Sequence, residues 1–363
     1  MSALDAVVVG GGPGGSTVAW RLARAGARVL LLDAATFPRV KLCAGWVTRA
    51  VLADLELDAA SYPHTIQPFA AASLAVGDDD HETRWDDTVS YGIVRAEFDA
   101  FLLARAACAG AEVREGVRVR GVAVRPEGVT IETDGETLTA PVVVGAGGYG
   151  CPVGRALGAV DATEAVVVTQ ESETRIGAER LRRLTPRFGT PELLLEPDVQ
   201  GYAWYFTKGD FLNVGIGAVG GLPVKARLER LLAALRAAGR LPADLRLTPF
   251  RGHAYAVRRT APRRVAGERF CLVGDAAGLA RDFSGEGIGP AVRSGLLAAA
   301  AIHEGRPTVH AARVDAEFGR PDGLLARLTR RVPAAITLAA ARLACTRPTL
   351  RRRLVFEGAF GMG

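Results

Sequence analysis

The chain has 363 residues, 49% of them hydrophobic, and a formal net charge of +6, which suits about two domains with a substantial core. No run of about eighteen apolar residues appears that would span a membrane, and the basic residues lack the interleaved aromatics of a nucleic-acid surface. Five cysteines (Cys43, Cys108, Cys151, Cys271, Cys345) are scattered, odd in number and without zinc spacing, so reduced thiols, a cytoplasmic setting and no metal site are expected.

The N-terminus enters a strand directly, with no basic region or cleavage site of a signal peptide. Residues 4–33 then read as a strand, a glycine turn (Gly10-Gly11-Gly12-Pro13-Gly14-Gly15), an apolar helix and a second strand ending in Asp33. Each part suits a dinucleotide. Gly10 permits the tight turn, Gly12 lets backbone approach a pyrophosphate, and Gly15 lets the helix pack on the strand. The helix N-terminus offers free N–H groups and roughly half a positive charge to phosphates. Asp33, about twenty residues beyond the turn, is placed to accept from a ribose hydroxyl.

Phe37 to Leu57 reads as a loop leading into a helix, and a mixed region with the acidic turn Asp78-Asp79-Asp80 runs to about Tyr91. Arg95 to Ala109 is a helical run. Strands follow at Val117–Val124, Val129–Thr133 and Thr137–Val144. From about residue 160 to 262 the character changes to longer strands, a hairpin around Lys208-Gly209-Asp210, and a helix near 222–238. The chain returns to a strand at Arg269–Val273 and a long helix to about Ile302. This order predicts an α/β fold: a discontinuous Rossmann-like cofactor domain (1–60, 92–158 and 263–310) and an inserted mixed or antiparallel β-sheet substrate domain (61–91 and 159–262). A C-terminal helical segment (311–363) completes it. That segment carries Arg327, Arg330, Arg331, Arg342, Arg347, Arg351, Arg352 and Arg353 among Leu, Ile, Val and Ala. Such a pattern suits either an amphipathic tail on an anionic membrane surface or ordinary helices with a solvated basic face.

A second signature, Phe270-Cys-Leu-Val-Gly274-Asp275 through Ser284-Gly285-Glu286-Gly287-Ile288-Gly289, points from a dinucleotide to FAD. A carboxylate at a strand end suits ribitol hydroxyls. The Gly285–Gly289 turn opens a helix whose N–H groups suit the flavin end that gains negative charge on reduction. With these motifs the chain resembles the glutathione-reductase-type FAD proteins of the hydroxylase superfamily, and within them the geranylgeranyl reductase family. The flavin-loop motif is similar in Phe37-Pro38-Arg39-Val40-Lys41-Leu42-Cys43-Ala44-Gly45, the helix start in Val94-Arg95-Ala-Glu-Phe98-Asp99. The substrate-wall motif is similar in Tyr202-Ala-Trp204-Tyr-Phe206-Thr207, then seven residues, then Gly215-Ile-Gly217. Three departures are visible: Ala44 in a Cys-Gly-Gly loop motif, Thr207 for a proline, and Gly147 where relatives carry an Asp.

The resemblance implies that Gly10, Gly12, Gly14, Gly15, Asp33, Arg39, Lys41, Ala44, Arg95, Val119, Gly274, Asp275, Gly285, Gly287 and Ile288 hold FAD. Cys43, Gly45 and Glu286 frame the reacting ring. It further implies hydride delivery to a carbon–carbon double bond of an isoprenoid or other hydrophobic substrate, with NAD(P)H or a reduced carrier such as ferredoxin as donor. Alternatives stay open at this point. Cys43 suits a packing or a catalytic role, and Glu286 a place at the flavin or at the helix dipole. The period-two spacing of Tyr202, Trp204 and Phe206 puts three rings on one strand face, as ligand wall or as core. Gly215-x-Gly217-x-x-Gly220 formally matches a nucleotide turn but opens no helix. Of the five histidines only His253 lies where an acid or base is of interest. A monooxygenase of the same superfamily is the rival activity, a halogenase less so because its Trp-x-Trp-x-Ile-Pro motif is missing. A protein using FAD only structurally is the rival from another class.

Overall fold

The computed structural model describes residues 4–160, 164, 166–321 and 334–362. Its first layer is a six-stranded sheet in the order Ala266–Gly267, Phe270–Leu272, Val143–Gly145, Ala6–Val9, Val29–Asp33, Glu112–Glu115. All neighbours are parallel except the 266–267 edge. The central strands are apolar at nearly every position because both faces are covered. Ala6, Val8 and Leu31 pack under the helices Pro13–Arg24, Arg95–Cys108 and Ile288–His303. Val7, Val9, Leu30 and Leu32 face a three-stranded antiparallel sheet, Val119–Arg125, Gly128–Thr133 and Thr137–Ala140.

This second contact corrects one expectation and places the side chain of a second residue. The strand predicted over Thr137–Val144 is two strands: Ala140 pairs with Val129 in the antiparallel sheet, while Val143 pairs with Val7 and Phe270 in the parallel one. Pro141, with no N–H to give a ladder, marks the crossing between layers. Val119, expected at the cofactor, packs with Val129 and Ile131 in the core between the two sheets. Strand alternation turns its side chain inward there.

The inserted half is a seven-stranded sheet in the order Arg251–Ala256, Val166–Arg175, Phe211–Val219, Gly201–Lys208, Glu192–Leu195, Ala71–Val76, Asp79–Arg84. One face carries Ala203, Tyr205, Leu212, Val214 and Ile216 onto the helix Val224–Ala237. The other face looks toward the six-stranded half. Gly209 and Asp210 form the two-residue hairpin turn, so Lys208 is the last strand residue. The acidic turn is likewise shorter than expected: Asp79 and Asp80 already belong to the next strand. A small sheet of Trp46–Thr48, Ser90–Ile93 and Ile66–Phe69 lies between the halves.

The C-terminal chain folds back over the seven-stranded sheet. Cys345 and Phe356, from the helix Ala334–Thr346 and the π-helical stretch Arg351–Ala359, join Phe69, Leu74, Leu193, Trp204 and Phe206 in one cluster. Arg351, counted above among the basic-face residues, is buried instead. Its guanidinium donates to Thr83 Oγ1 and to the carbonyls of Glu82, Cys345 and Thr346. Arg342, Arg347, Arg352 and Arg353 are exposed, whereas Arg327, Arg330 and Arg331 lie outside the described residues. Among the described residues no helix is long and apolar enough to cross a membrane.

Candidate functional site

A cavity of about 1160 Å³ runs from the first glycine turn, along the working face of the seven-stranded sheet, to the C-terminal helices. At its first end the chain approaches itself too closely for side chains. Gly10 has φ +113, and a Cβ there would lie 2.4 Å from the Ala146 carbonyl oxygen; one on Gly15 would lie 1.8 Å from the Gly10 carbonyl oxygen. Gly12, Pro13 and Gly14 line the cavity at a helix start with no side-chain cap. Asp33 reaches the same turn, accepting from the Gly11 N–H at 2.6 Å and the Ala35 N–H at 2.8 Å. An uncapped helix start beside a carboxylate matches the phosphate and ribose of a dinucleotide.

Arg39 and Lys41 extend this wall as cations. Arg39 lies 3.3 Å from Asp99, which also takes two bonds from Arg95 at 2.8 and 2.7 Å. Burial works against the charge on Arg95, and Asp99 outweighs it, so the guanidinium stays charged beside Cys43. Asp99 was quoted in the helix-start motif but given no role; its i,i+4 spacing from Arg95 is the signal that marks it. Gly147, in place of the relatives' Asp, has Cys151 and Pro152 packed on it. A Cβ there would lie 3.2 Å from atoms of both.

Asp275 stands at the middle of the cavity. Burial alone would raise its carboxyl. The neighbouring His253 and the Lys41 charge outweigh burial and hold it below the usual carboxylate range. His253 Nε2 lies 3.8 Å from Asp275 and 3.2 Å from Lys41 Nζ, so the histidine belongs to the cofactor wall. Gly274 has φ +57 beside Ala291 of the following helix, and a Cβ on Gly287 would lie 3.2 Å from Asp275 Oδ1. Gly285 is required for a different reason: a Cβ would come 1.9 Å from the Tyr255 hydroxyl. Tyr202 donates to the Ser284 carbonyl, so two tyrosines of the substrate sheet hold this turn. Burial raises both phenols and keeps them protonated donors.

Glu286 lines the cavity and also serves the helix start. Its carboxylate accepts the Gly289 N–H at 2.9 Å and pairs with Arg281 at 2.6 Å. It therefore caps the helix Ile288–His303, whose next backbone groups, at Gly287 and Ile288, line the cavity.

Tyr202, Trp204 and Phe206 line the cavity together with Leu74, Leu193 and Leu195. The second glycine motif is explained here: a Cβ on Gly215 would lie 2.3 Å from the Trp204 ring. These glycines receive an indole, not a nucleotide. Trp204 Nε1 donates to Asn213 Oδ1 at 2.6 Å, and Asn213 leads on to Glu173 at 3.4 Å.

Four polar residues of this face carried no sequence signal beyond being polar in apolar strands: Glu171, Glu173, Lys208 and Asn213. They tie the sheet to the flavin loop. Glu171 accepts the Cys43 N–H, and Lys208 donates to the Ala44 carbonyl at 2.9 Å and pairs with Glu173. The Lys208 side chain is fully buried, and an unpaired ammonium there would cost several kcal/mol, so this pairing is what allows it. Gly45, at φ +69, leaves room for that ammonium; a Cβ would lie 2.7 Å from Nζ. The Cys43 sulfur accepts from the Gly45 N–H at 3.4 Å.

Comparison with known proteins agrees with this geometry. A family model described as an FAD binding domain matches residues 3–302. The chain is 31% identical over 342 residues to a menaquinone reductase of Mycolicibacterium smegmatis, covering 84% of this chain and 77% of the relative. It is 31% identical over 311 residues to digeranylgeranylglycerophospholipid reductase 1 of Methanopyrus kandleri, covering 81% and 79%. Among solved structures, a geranylgeranyl bacteriochlorophyll reductase-like protein of Thermoplasma acidophilum superposes with a TM-score of 0.80 at 21% identity, covering 100% of this chain and 96% of that one. The glycine turn, the Asp275 strand end and the aromatic wall over Gly215 thus belong to a member of the FAD-binding domain family, an FAD-dependent oxidoreductase of the geranylgeranyl reductase group.

Proposed function

We propose that this protein reduces carbon–carbon double bonds of an isoprenoid or similarly long apolar substrate. The observation that carries the reading is one cavity with two linings. Its first end is a dinucleotide cradle; its second is Leu74, Leu193, Leu195, Trp204 and Phe206, roofed by Ile336, Leu354 and Phe360 of the C-terminal segment. The reductases named above, which act on isoprenoid-bearing molecules by their names, support the same substrate class.

FAD fits the residues present and, when reduced, supplies the hydride. The Gly10–Gly15 turn and Asp33 would hold its pyrophosphate and ribose, and Asp275 its ribitol. The protein's own part is to fix the Cys43–Gly45 loop through Glu171 and Lys208, to hold the 284–287 turn through Tyr202 and Tyr255, and to keep water from the reacting carbons with apolar side chains. The donor, NAD(P)H or a reduced carrier, binds transiently in this reading, since the second glycine motif is filled by Trp204.

A peripheral lipid contact follows as part of the same proposal. Ile336, Leu343 and Leu354 are exposed large apolar residues on the C-terminal helices, beside exposed Arg342, Arg347, Arg352 and Arg353. Apolar side chains among arginines suit an anionic bilayer surface. Co-sedimentation with anionic vesicles, lost in high salt, is the expected result; equal recovery with neutral vesicles would remove the contact.

The substrate reading is tested by exact product mass after the reduced enzyme meets an isoprenoid lipid pool, with and without oxygen. Gain of hydrogen pairs under anaerobic conditions is expected. Gain of an oxygen atom, in air alone, would make the protein a monooxygenase instead.

A further inference from the structure

The reduction of a carbon–carbon double bond needs a proton as well as a hydride, and Glu171 is a buried carboxyl of the cavity wall beside both the flavin loop and the aromatic wall. Glu171 and Glu173 lie on the same face of the strand Val166–Arg175. A single lysine stands between them and the loop, and its hydrogen bonds go to Glu173 and the Ala44 carbonyl. Arg95, the other nearby cation, is bound at two points by Asp99. Arg251, the cross-strand partner of Glu171, is exposed on the edge strand. Glu171 is 3% exposed. Burial, reinforced by the Glu173 charge and only partly offset by Lys208, the Cys43 N–H and Arg95, pushes its carboxyl up to about 7.

Its position matters as much as its protonation. Glu171 is paired across the sheet with Gly215, and Gly215 with Trp204. A Cβ on Gly215 would lie 2.8 Å from the Glu171 Cβ and 2.3 Å from the indole, so acid and substrate wall flank one glycine. On its other side the same carboxyl accepts the Cys43 N–H of the flavin loop. A protonated carboxyl satisfies this arrangement with its carbonyl oxygen and keeps its O–H for the cavity.

We propose that Glu171, in its protonated form, is the catalytic acid that delivers the proton to the substrate carbon. This rests on the double-bond reading above. One alkene carbon receives the hydride with its electron pair from the reduced flavin. The π pair moves to the neighbouring carbon, which forms a C–H bond as the Glu171 O–H bond breaks. The substrate is reduced by two electrons, the hydride donor is oxidised by two, and the carboxylate left behind is reprotonated from solvent.

The test is Glu171→Gln, which keeps an oxygen for the Cys43 N–H and removes only the proton. In single turnovers of the reduced holoenzyme with a polyprenyl lipid, the wild-type rate should fall as pH rises through about 7. The variant should bind FAD normally, react about 100-fold or more slowly, and lose that pH dependence. Infrared titration of the wild-type holoprotein, with the glutamine variant subtracted, supplies a readout independent of turnover: a protonated carboxyl band present at mildly acid pH and lost near neutrality. If the glutamine variant loses flavin, Glu171→Asp replaces it in the kinetic arm, with an intermediate rate expected, and the infrared arm uses glutamate carrying a carbon-13 side-chain carboxyl. A variant as fast as wild type with the same pH profile, or a carboxyl already ionised at mildly acid pH, would overturn the assignment. Either result leaves double-bond reduction standing, because wild-type product mass decides that separately. Oxygen in the wild-type product would remove both.

Discussion

At the cofactor end of the cavity many of the working parts are backbone: Gly10, Gly12 and Gly15 shape the turn, and the side chain that reaches it, Asp33, is itself held by the N–H groups of Gly11 and Ala35. At the substrate end the working parts are side chains brought together by strand register, with Glu171, Gly215 and Trp204 aligned across three strands. The first kind of site needs residues close in sequence and tolerates almost no substitution. The second draws on strands separated by long stretches of chain, and its chemistry changes with single side chains. A fold that keeps the first end constant can therefore alter substrate at the second.

This contrast predicts separable failures. The largest effect falls at the junction: Asp275→Ala removes the half-buried carboxylate offered to the ribitol and leaves Lys41 and His253 facing each other, so FAD affinity should drop on the order of 100-fold. Equilibrium flavin titration measures it, and a normally yellow variant at low protein concentration would detach Asp275 from the cofactor. Next, Arg351→Ala should cost about 3 kcal/mol in urea unfolding, since it leaves the carbonyls of Glu82, Cys345 and Thr346 without a donor. Flavin binding should survive while substrate KM rises, because the loss falls on the roof of the substrate end.

The third prediction concerns pH. The Glu171 carboxyl is raised in the folded state, so the folded protein holds that proton more tightly than the unfolded chain. The associated stability is complete below the unfolded value and is lost as pH rises through about 7. Relative to wild type, Glu171→Gln should therefore gain about 2 kcal/mol between about pH 5 and pH 8. Parallel unfolding curves at the two pH values would show no such linkage. The smallest effect is expected from Trp204→Phe, which keeps a ring over Gly215 but loses the bond to Asn213. A loss of about 1 kcal/mol and a several-fold rise in KM should appear without any change in flavin content. Altered flavin affinity in this variant would blur the division between the two ends.

The same contrast explains what the sequence made legible. Gly10, Gly15, Asp33 and Asp275 were recognisable because a backbone cradle forces particular residues at fixed local spacing. Period two puts Tyr202, Trp204 and Phe206 on one strand face, and the resemblance of their motif, with Gly215 and Gly217, made that face readable as a cavity wall. Glu171, Lys208 and Asn213 were not, since nothing local distinguishes a glutamate aimed at Cys43 from one aimed at water. Register decides that. Val119 shows the limit of such reading: a β-branched residue at a strand start looks alike whether its side chain turns toward a cavity or, as here, into the core between two sheets. Arg351 was misread for a related cause: composition showed a run of arginines, and only the fold shows that one of them is enclosed by carbonyls while its neighbours Arg352 and Arg353 are exposed.

The most direct test of the central claim is to reduce the bound flavin under strictly anaerobic conditions and follow its absorbance on adding a polyprenyl lipid. The account predicts that the yellow colour returns in proportion to double bonds consumed, with no oxygen present. A flavin that stays bleached until air is admitted would contradict it.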